Sequence, residues 1–248
     1  MSEFKRQLLA IYQREAYFPS VLGLLINPFY FARKGLAKHV TDLAVNITGK
    51  TLDVGCGTKP YAHLYQSTEY VGLEIDTPQN RANKLADFYY DGNSFPFKDG
   101  SFDSVVANEV FEHVFNPDNF LGETFRILKP EGMVLLTMPF VWDEHEQPYD
   151  FARYSSFGIK ALLEKHGFEV IEQRKSIDDI RVIFQLLNTY IYKKTITKSA
   201  WLNVFITLAM MAPFNLLGEL LALITPQNPD LYLDNIVLAI KRVRDQNA

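Results

Sequence analysis

The stretch WDEHEQPYDFARY (142–154) follows directly on an apolar run, MVLLTMPFVW (133–142). It crowds Asp143, Glu144, His145, Glu146, Asp150 and Arg153 among Trp142, Tyr149, Phe151 and Tyr154. An imidazole beside carboxylates can take a proton from a reacting group, with the acid fixing its orientation. His145 is the leading base on that ground, with Asp143 or Glu144 as its orienting partner. His113, in EVFEHV (109–114), is the second base, with a plainer role in satisfying backbone groups where a helix begins. The planar fork of Arg153 suits an anionic acceptor, or a simple pair with Asp150. Trp142, Tyr149 and Tyr154 can stack on a sugar or an aromatic ring, and core packing would use them equally well. Glu144 completes this acceptor set. Asp143, His145 and Glu146 have cation-binding chemistry but no fixed ligand spacing, so no metal is expected. A merely solvated loop would carry the same residues.

A second set lies earlier. DVGCGTKPY (53–61) sets Asp53, Gly55 and Gly57 at a sharp turn, where glycine lets the backbone approach a ligand or simply turn. The phosphate-binding G-x-G-x-x-G pattern would need glycine at position 60, which is Pro60, so a pyrophosphate ligand is disfavoured. Glu74, closing YVGLEID (70–76), is spaced to accept from ribose hydroxyls, with Asp76 as its competitor. Asp91, in YYDGNSFPF (89–97), can accept from the exocyclic amino group of a base. Taken singly, each acid is also a good cap or turn residue.

These residues need rigid elements behind them. KTLDVGCG (50–57), YVGLEID (70–76), SFDSVVANEV (101–110) and EGMVLLTMPF (131–140) read as short apolar strands. NPDNFLGETFRILK (116–129) places Phe120, Leu121, Thr124, Phe125 and Leu128 on one helical face, started by Asn116 and Pro117. Such alternation predicts parallel βαβ units with helices on both faces of the sheet. After Arg153, SSFGIKALLEKHGFEVIEQRKS gives a capped helix, a stop at Gly167 and a strand; DNIVLAIKRV (234–243) is the last strand. The domain reading is therefore an N-terminal helical segment (1–47), a core (48–177), a helical apolar cap inserted at 178–233, and a terminal strand segment (234–248).

At 248 residues the chain has room for one large α/β domain with an insertion. A net charge of −4 argues against a general nucleic-acid partner. One cysteine, Cys56, excludes an intramolecular disulfide and any multi-cysteine zinc site, which fits a reducing cytoplasm. The N-terminal MSEFKRQLLAIYQREAYF reads as an amphipathic helix, because Gln13, Arg14 and Glu15 interrupt its apolar run too early for a secretory signal. SAWLNVFITLAMMAPFNLLGELLALIT (199–225) has spanning length, but Asn203, Pro213, Asn215 and Glu219 interrupt it. Two apolar helices meeting near Pro213 are expected there, buried, joined in a homodimer or pressed against a membrane surface.

LDVGCG, YVGLEID, DGNSFPFKDGSFDSVVANEVFEHV, RILKPEGMVLLTMPF and HGFEV together resemble the class I methyltransferases that use S-adenosylmethionine, in particular the bacterial type 11-like branch. The resemblance covers about residues 48–174. It implies a Rossmann-like doubly wound sheet, mostly parallel with an antiparallel terminal strand. It implies that Asp53, Gly55 and Gly57 flank the methionine moiety, with Cys56 in the same turn, that Glu74 holds the ribose, that Asp91 and Gly92 approach the adenine, and that Asn108 lies beside the cofactor. Many relatives carry glycine where this chain has Lys59.

That family places the loop after TMPF on the acceptor side of the donor methyl group. The expectation is a cytoplasmic enzyme, at the inner face of the membrane if the cap docks there. It would move a methyl group by in-line displacement to a small molecule, a sugar or a lipid-linked glycan, giving S-adenosylhomocysteine. Orientation alone supplies about 7–11 kcal/mol of such a barrier, and a base is needed only where the acceptor must lose a proton. The alternative is a non-catalytic protein that binds S-adenosylmethionine or S-adenosylhomocysteine.

Overall fold

A computed structural model describes residues 3–242, so the last residues of the expected 234–248 segment lie outside it. Seven strands run β1 (Thr48–Val54), β2 (Gln66–Ile75), β3 (Phe88–Tyr90), β4 (Phe102–Asn108), β5 (Leu128–Pro139), β6 (Phe168–Ser176) and β7 (Asp234–Lys241). They form one sheet in the order β3-β2-β1-β4-β5-β7-β6, mostly parallel, with the terminal strand antiparallel. The α-helices are α1 (Glu3–Tyr17), α2 (Gly23–Ile26), α3 (Tyr30–Leu43), α4 (Pro78–Asn83), α5 (Pro117–Ile127), α6 (Ser156–Lys165), α7 (Arg181–Thr195), α8 (Ala200–Ile206) and α9 (Ala212–Ala222). The short β3 was read from sequence only as part of a turn.

The chain divides into two compact units. One holds residues 39–140, 144–174 and 235 onward; the other holds the chain up to residue 38, with 141–143 and 175–234. In the first, Leu52 and Val54 of β1, Val105 and Ala107 of β4, and Val134 and Leu136 of β5 are fully buried. Strands covered on both faces need such near-continuous apolar runs, which is why they read so plainly in the sequence. Register aligns the carboxyl ends: Asp53 pairs with Gly72 on β2 and Val106 on β4, and Asn108 pairs with Thr137 on β5. Strand order reverses direction between β1 and β4, the crevice where open α/β sheets bind ligands.

The second unit is helical and packs around Tyr30, Phe31, Val182 and Leu233. Gln185, fully buried on α7, accepts from the backbone N–H groups of Phe31 and Ala32 at 3.0 and 3.2 Å. Those N–H groups open α3 and have no partner within the helix, so one side chain caps it from a neighbouring element. The run from Ala200 to Ala222 is one continuous helix of 23 residues rather than two meeting at Pro213. A wider π-helical turn at Thr207–Met211 absorbs the missing N–H of the proline, which sits in the first turn of α9. This helix is long and apolar enough to cross a membrane, and most of it is not buried.

Candidate active site

The turn after β1 is shaped by two glycines with different reasons. Gly55 has φ +68°, and a Cβ there would lie 2.5 Å from Val110 Cγ2, so no larger residue fits. Gly57 has φ +46° with open space above it, and its N–H donates to Glu74 Oε1 at 2.7 Å. Cys56 is buried with its sulfur toward Gly72, and burial first, then the charge of Asp53, pushes its thiol up to about 12. It lines the turn as an inert thiol. Lys59 takes the left-handed conformation, φ +55°. Its ammonium reaches Asp87 Oδ2 at 2.7 Å, and the same oxygen accepts from Gly72 N–H.

Asp53 is buried, and its Oδ2 accepts from the Tyr70 hydroxyl at 2.7 Å. Burial raises its carboxyl to about 7 against the weaker pull of Tyr70. Tyr70 stacks on Tyr65, whose hydroxyl accepts from Asn108 Nδ2 at 3.2 Å. Asn108 Oδ1 is buried with no hydrogen bond among the described residues, an acceptor awaiting a donor. Glu74 Oε2 accepts from Asn80 at 3.3 Å, whereas the competing Asp76 is held by Arg81 through two short bonds. Asp91 Oδ1 accepts from the N–H groups of Asn93 and Ser94, which holds its carboxyl below the usual range and sets the turn that opens space over Gly92. Open space over two glycines, anionic strand ends and an orphaned buried acceptor fit a ligand carrying ammonium and hydroxyl donors.

On the other side, the Phe111–His113 turn follows β4 and the 144–154 loop follows β5. Phe151 and Ala152 both donate their N–H groups to the Glu112 carbonyl, tying the two together. His145 lies with Nδ1 3.2 Å from Asp150 Oδ2, and its backbone N–H donates to the same oxygen at 3.0 Å. Arg153 grips Asp150 from the other direction at 2.5 and 2.6 Å. That grip, ahead of the backbone bond from His145, holds the Asp150 carboxyl down to about 2. The His113 ring stands edge-on to the His145 ring at 4.8 Å, and its Nδ1 bonds the Tyr149 carbonyl at 2.8 Å.

Several expectations need correcting. Asp143 is not the orienting acid: its carboxylate pairs with Lys193 at 2.6 Å within the helical unit. Glu144 is not one either, being exposed and bonded by Gln147 at 3.2 Å. Half-buried Tyr154 packs on Phe111 at 5.0 Å beside the sheet core, and half-buried Trp142 packs on Phe29 at 6.0 Å in the helical unit, so packing takes up part of each ring. Arg153 serves Asp150. Tyr149 alone of the aromatic set stands 64% exposed. Sequence reasoning missed Glu112, fully buried between the two histidines; the only signal was an acid adjoining His113. It also missed Tyr65 and Tyr70, which look like ordinary core aromatics.

A family model described as a methyltransferase domain matches residues 52–136. The chain is 27% identical over 166 residues to "O-methyltransferase rstn1" of Aspergillus nomiae, covering 57% of this chain and 74% of that one. It is 28% identical over 165 residues to a "Probable S-adenosylmethionine-dependent methyltransferase" of Mycolicibacterium smegmatis, covering 61% of this chain and 63% of that one. It also superposes on Haemonchus contortus phosphoethanolamine N-methyltransferase 2, solved with S-adenosyl-L-methionine. That match has a TM-score of 0.52 at 17% identity and covers 93% of this chain and 59% of that one.

Residues 52–136 carry a methyltransferase domain, and these similarities support a class I S-adenosylmethionine-dependent methyltransferase. Its cofactor is S-adenosylmethionine, whose sulfonium supplies an electrophilic methyl group when bound. The methyltransferase brings Asp53, Gly55, Gly57, Glu74 and Asn108 to the carboxyl ends of β1, β2 and β4. Glu74 is placed to accept from hydroxyls, and Asn108 Oδ1 to accept from a donor at the switch point. The Asp150–His145 pair stands at the end of the neighbouring β5, able to hold or accept a proton there.

Proposed function

We propose that this methyltransferase places its methyl group on a hydroxyl oxygen of a lipid-linked glycan, working as a cytoplasmic protein docked on the inner face of the membrane. The acceptor class rests on one observation, the apolar surface of the Ala200–Ala222 helix and the residues after it. Trp201, Phe205, Leu220, Leu223 and Ile224 are 77%, 65%, 61%, 80% and 79% exposed. A continuous apolar surface of that kind marks an interaction face rather than ordinary exposure. Lys194 and Lys198 precede it, and cations beside an apolar helix draw it to anionic lipid at about 1 kcal/mol each. An oxygen acceptor agrees with the O-methyltransferase name of the Aspergillus relative.

The test incubates the protein with S-adenosylmethionine labelled in its methyl group and an extract containing membranes, followed by phase separation. Label in the organic phase is expected. Label confined to the aqueous phase would replace the lipid-linked acceptor with a soluble sugar or metabolite. Tight S-adenosylhomocysteine binding with no label in either phase would favour a non-catalytic binding protein.

A further inference from the structure

Three side chains in the sheet unit converge in a way that proton transfer leaves unexplained. Glu112 is fully buried, and neither of its carboxylate oxygens makes a hydrogen bond among the described residues. His113 Nε2 lies 3.6 Å from Glu112 Oε1, and His145 Nε2 lies 3.7 Å from the same oxygen. We propose that Glu112, His113 and His145 form a binding site for one divalent transition-metal cation of the zinc type.

The tautomers argue for it. His113 Nδ1 faces the Tyr149 carbonyl at 2.8 Å, which can only accept, so Nδ1 carries a proton and Nε2 of the neutral ring keeps its lone pair. His145 Nδ1 faces the Asp150 carboxylate at 3.2 Å, with the same consequence. Two neutral rings thus each set a lone pair within 3.7 Å of a buried carboxylate. Leaving them so is costly, because a buried carboxylate requires a compensating cation. A proton does not bridge the gaps, since 3.6–3.7 Å is too long for a hydrogen bond. A zinc-type ion with bonds of about 2.0–2.1 Å needs tetrahedral ligands about 3.3–3.5 Å apart, close to what is present. All three ligand atoms lie within 4.8 Å of one another.

The surroundings have the build of a metal site as well. Histidines that hold metals donate their other ring nitrogen to a carbonyl or carboxylate, and both do so here. Arg153 fixes the Asp150 carboxylate behind His145. Two imidazoles and one carboxylate leave a fourth position open, as in catalytic rather than structural zinc sites. The exposed Glu146 carboxylate lies 3.8 Å from His113 Nε2. From the sequence no metal was expected, since Asp143, His145 and Glu146 have no fixed ligand spacing; of those three only His145 belongs to this cluster. The inference stands on these side chains and holds whatever the methyl acceptor is. A cation here would occupy the His145 lone pair, so it and a free-base role for that imidazole exclude each other.

The experiment uses the tag-free full chain, stripped with a chelator and titrated calorimetrically with zinc, then with cobalt as a visible-light probe. One zinc per chain, a raised Tm and a tetrahedral cobalt spectrum are expected. Glu112→Gln and His145→Gln should each weaken binding at least tenfold. His166→Gln, which removes the separate His166–Asp118 pair, should not change it. Circular dichroism and S-adenosylhomocysteine binding check that the variants fold. Should they not, the wild-type cobalt spectrum decides, an octahedral aquo-like spectrum counting against the site. Failure of wild-type protein to bind zinc, or equal binding by the folded variants, overturns the proposal.

Discussion

His145 takes its carboxylate from Asp150, five residues further along the chain, with Nδ1 and Oδ2 3.2 Å apart. The acid is itself locked by Arg153, so the ring is oriented through two steps. Asp150→Asn is therefore expected to lower kcat at least tenfold while S-adenosylhomocysteine affinity stays within a factor of two. Asp143→Asn, which only removes the Lys193 pair, should leave kcat within a factor of two. Steady-state kinetics beside calorimetry separate these outcomes, and equal losses in both variants would refute the assignment.

The two buried acids give opposite pH signatures. Asp53 has its folded carboxyl raised to about 7, so the neutral form is favoured in the fold. Its contribution is largest below the unfolded value near 4 and fades as pH rises to about 7, by roughly 4 kcal/mol at most. Asp150, held at about 2, contributes above the unfolded value and loses it as pH falls from about 4 to about 2. Urea midpoints measured from pH 4 to 8 should decline less steeply in Asp53→Asn than in the wild type. An unchanged slope would show that Asp53 is not the buried acid responsible.

A cationic cofactor beside Asp53 should pull that carboxyl down and release a proton. Binding enthalpies of S-adenosylmethionine near pH 6.5 are then expected to depend on buffer ionisation enthalpy, and Asp53→Asn should abolish the dependence.

The two turn glycines should separate folding from binding. Gly55→Ala drives a methyl group into Val110 and strains the backbone, for a loss of about 1–3 kcal/mol by chemical denaturation. Gly57→Ala meets open space and should lose about 1 kcal/mol or less. Its methyl group points where a ligand would lie, so cofactor affinity is expected to fall at least tenfold at nearly unchanged stability. An unaltered Kd in Gly57→Ala would remove that turn from the cofactor site.

Lys59 holds a left-handed backbone and an ion pair with Asp87 together. Lys59→Gly relieves the backbone as it loses the pair, for a net change within about 0.5 kcal/mol. Lys59→Ala loses the pair and keeps the strain, so it should be destabilised by about 1 kcal/mol more than the glycine variant. Thermal unfolding of both variants gives the comparison directly.

The strands of the sheet were legible in the sequence because fully buried parallel strands must be apolar almost throughout, as in KTLDVGCG and EGMVLLTMPF. The placement of Asp53 and Glu74 was legible too, because each stands near the carboxyl end of a strand that reads as an apolar run. Side-chain partners were not. His145 has acids at 143, 144, 146 and 150, and spacing cannot choose among them. Asp150 is selected by the fold of its loop, and Asp143 is drawn to Lys193, fifty residues away in sequence. Glu112 is the clearest case. One-dimensional chemistry shows an acid beside a histidine, but only packing removes water from its carboxylate and brings two imidazoles against it. Sequence fixes local geometry because the backbone has few states; it leaves burial open, since burial depends on residues brought together from far along the chain.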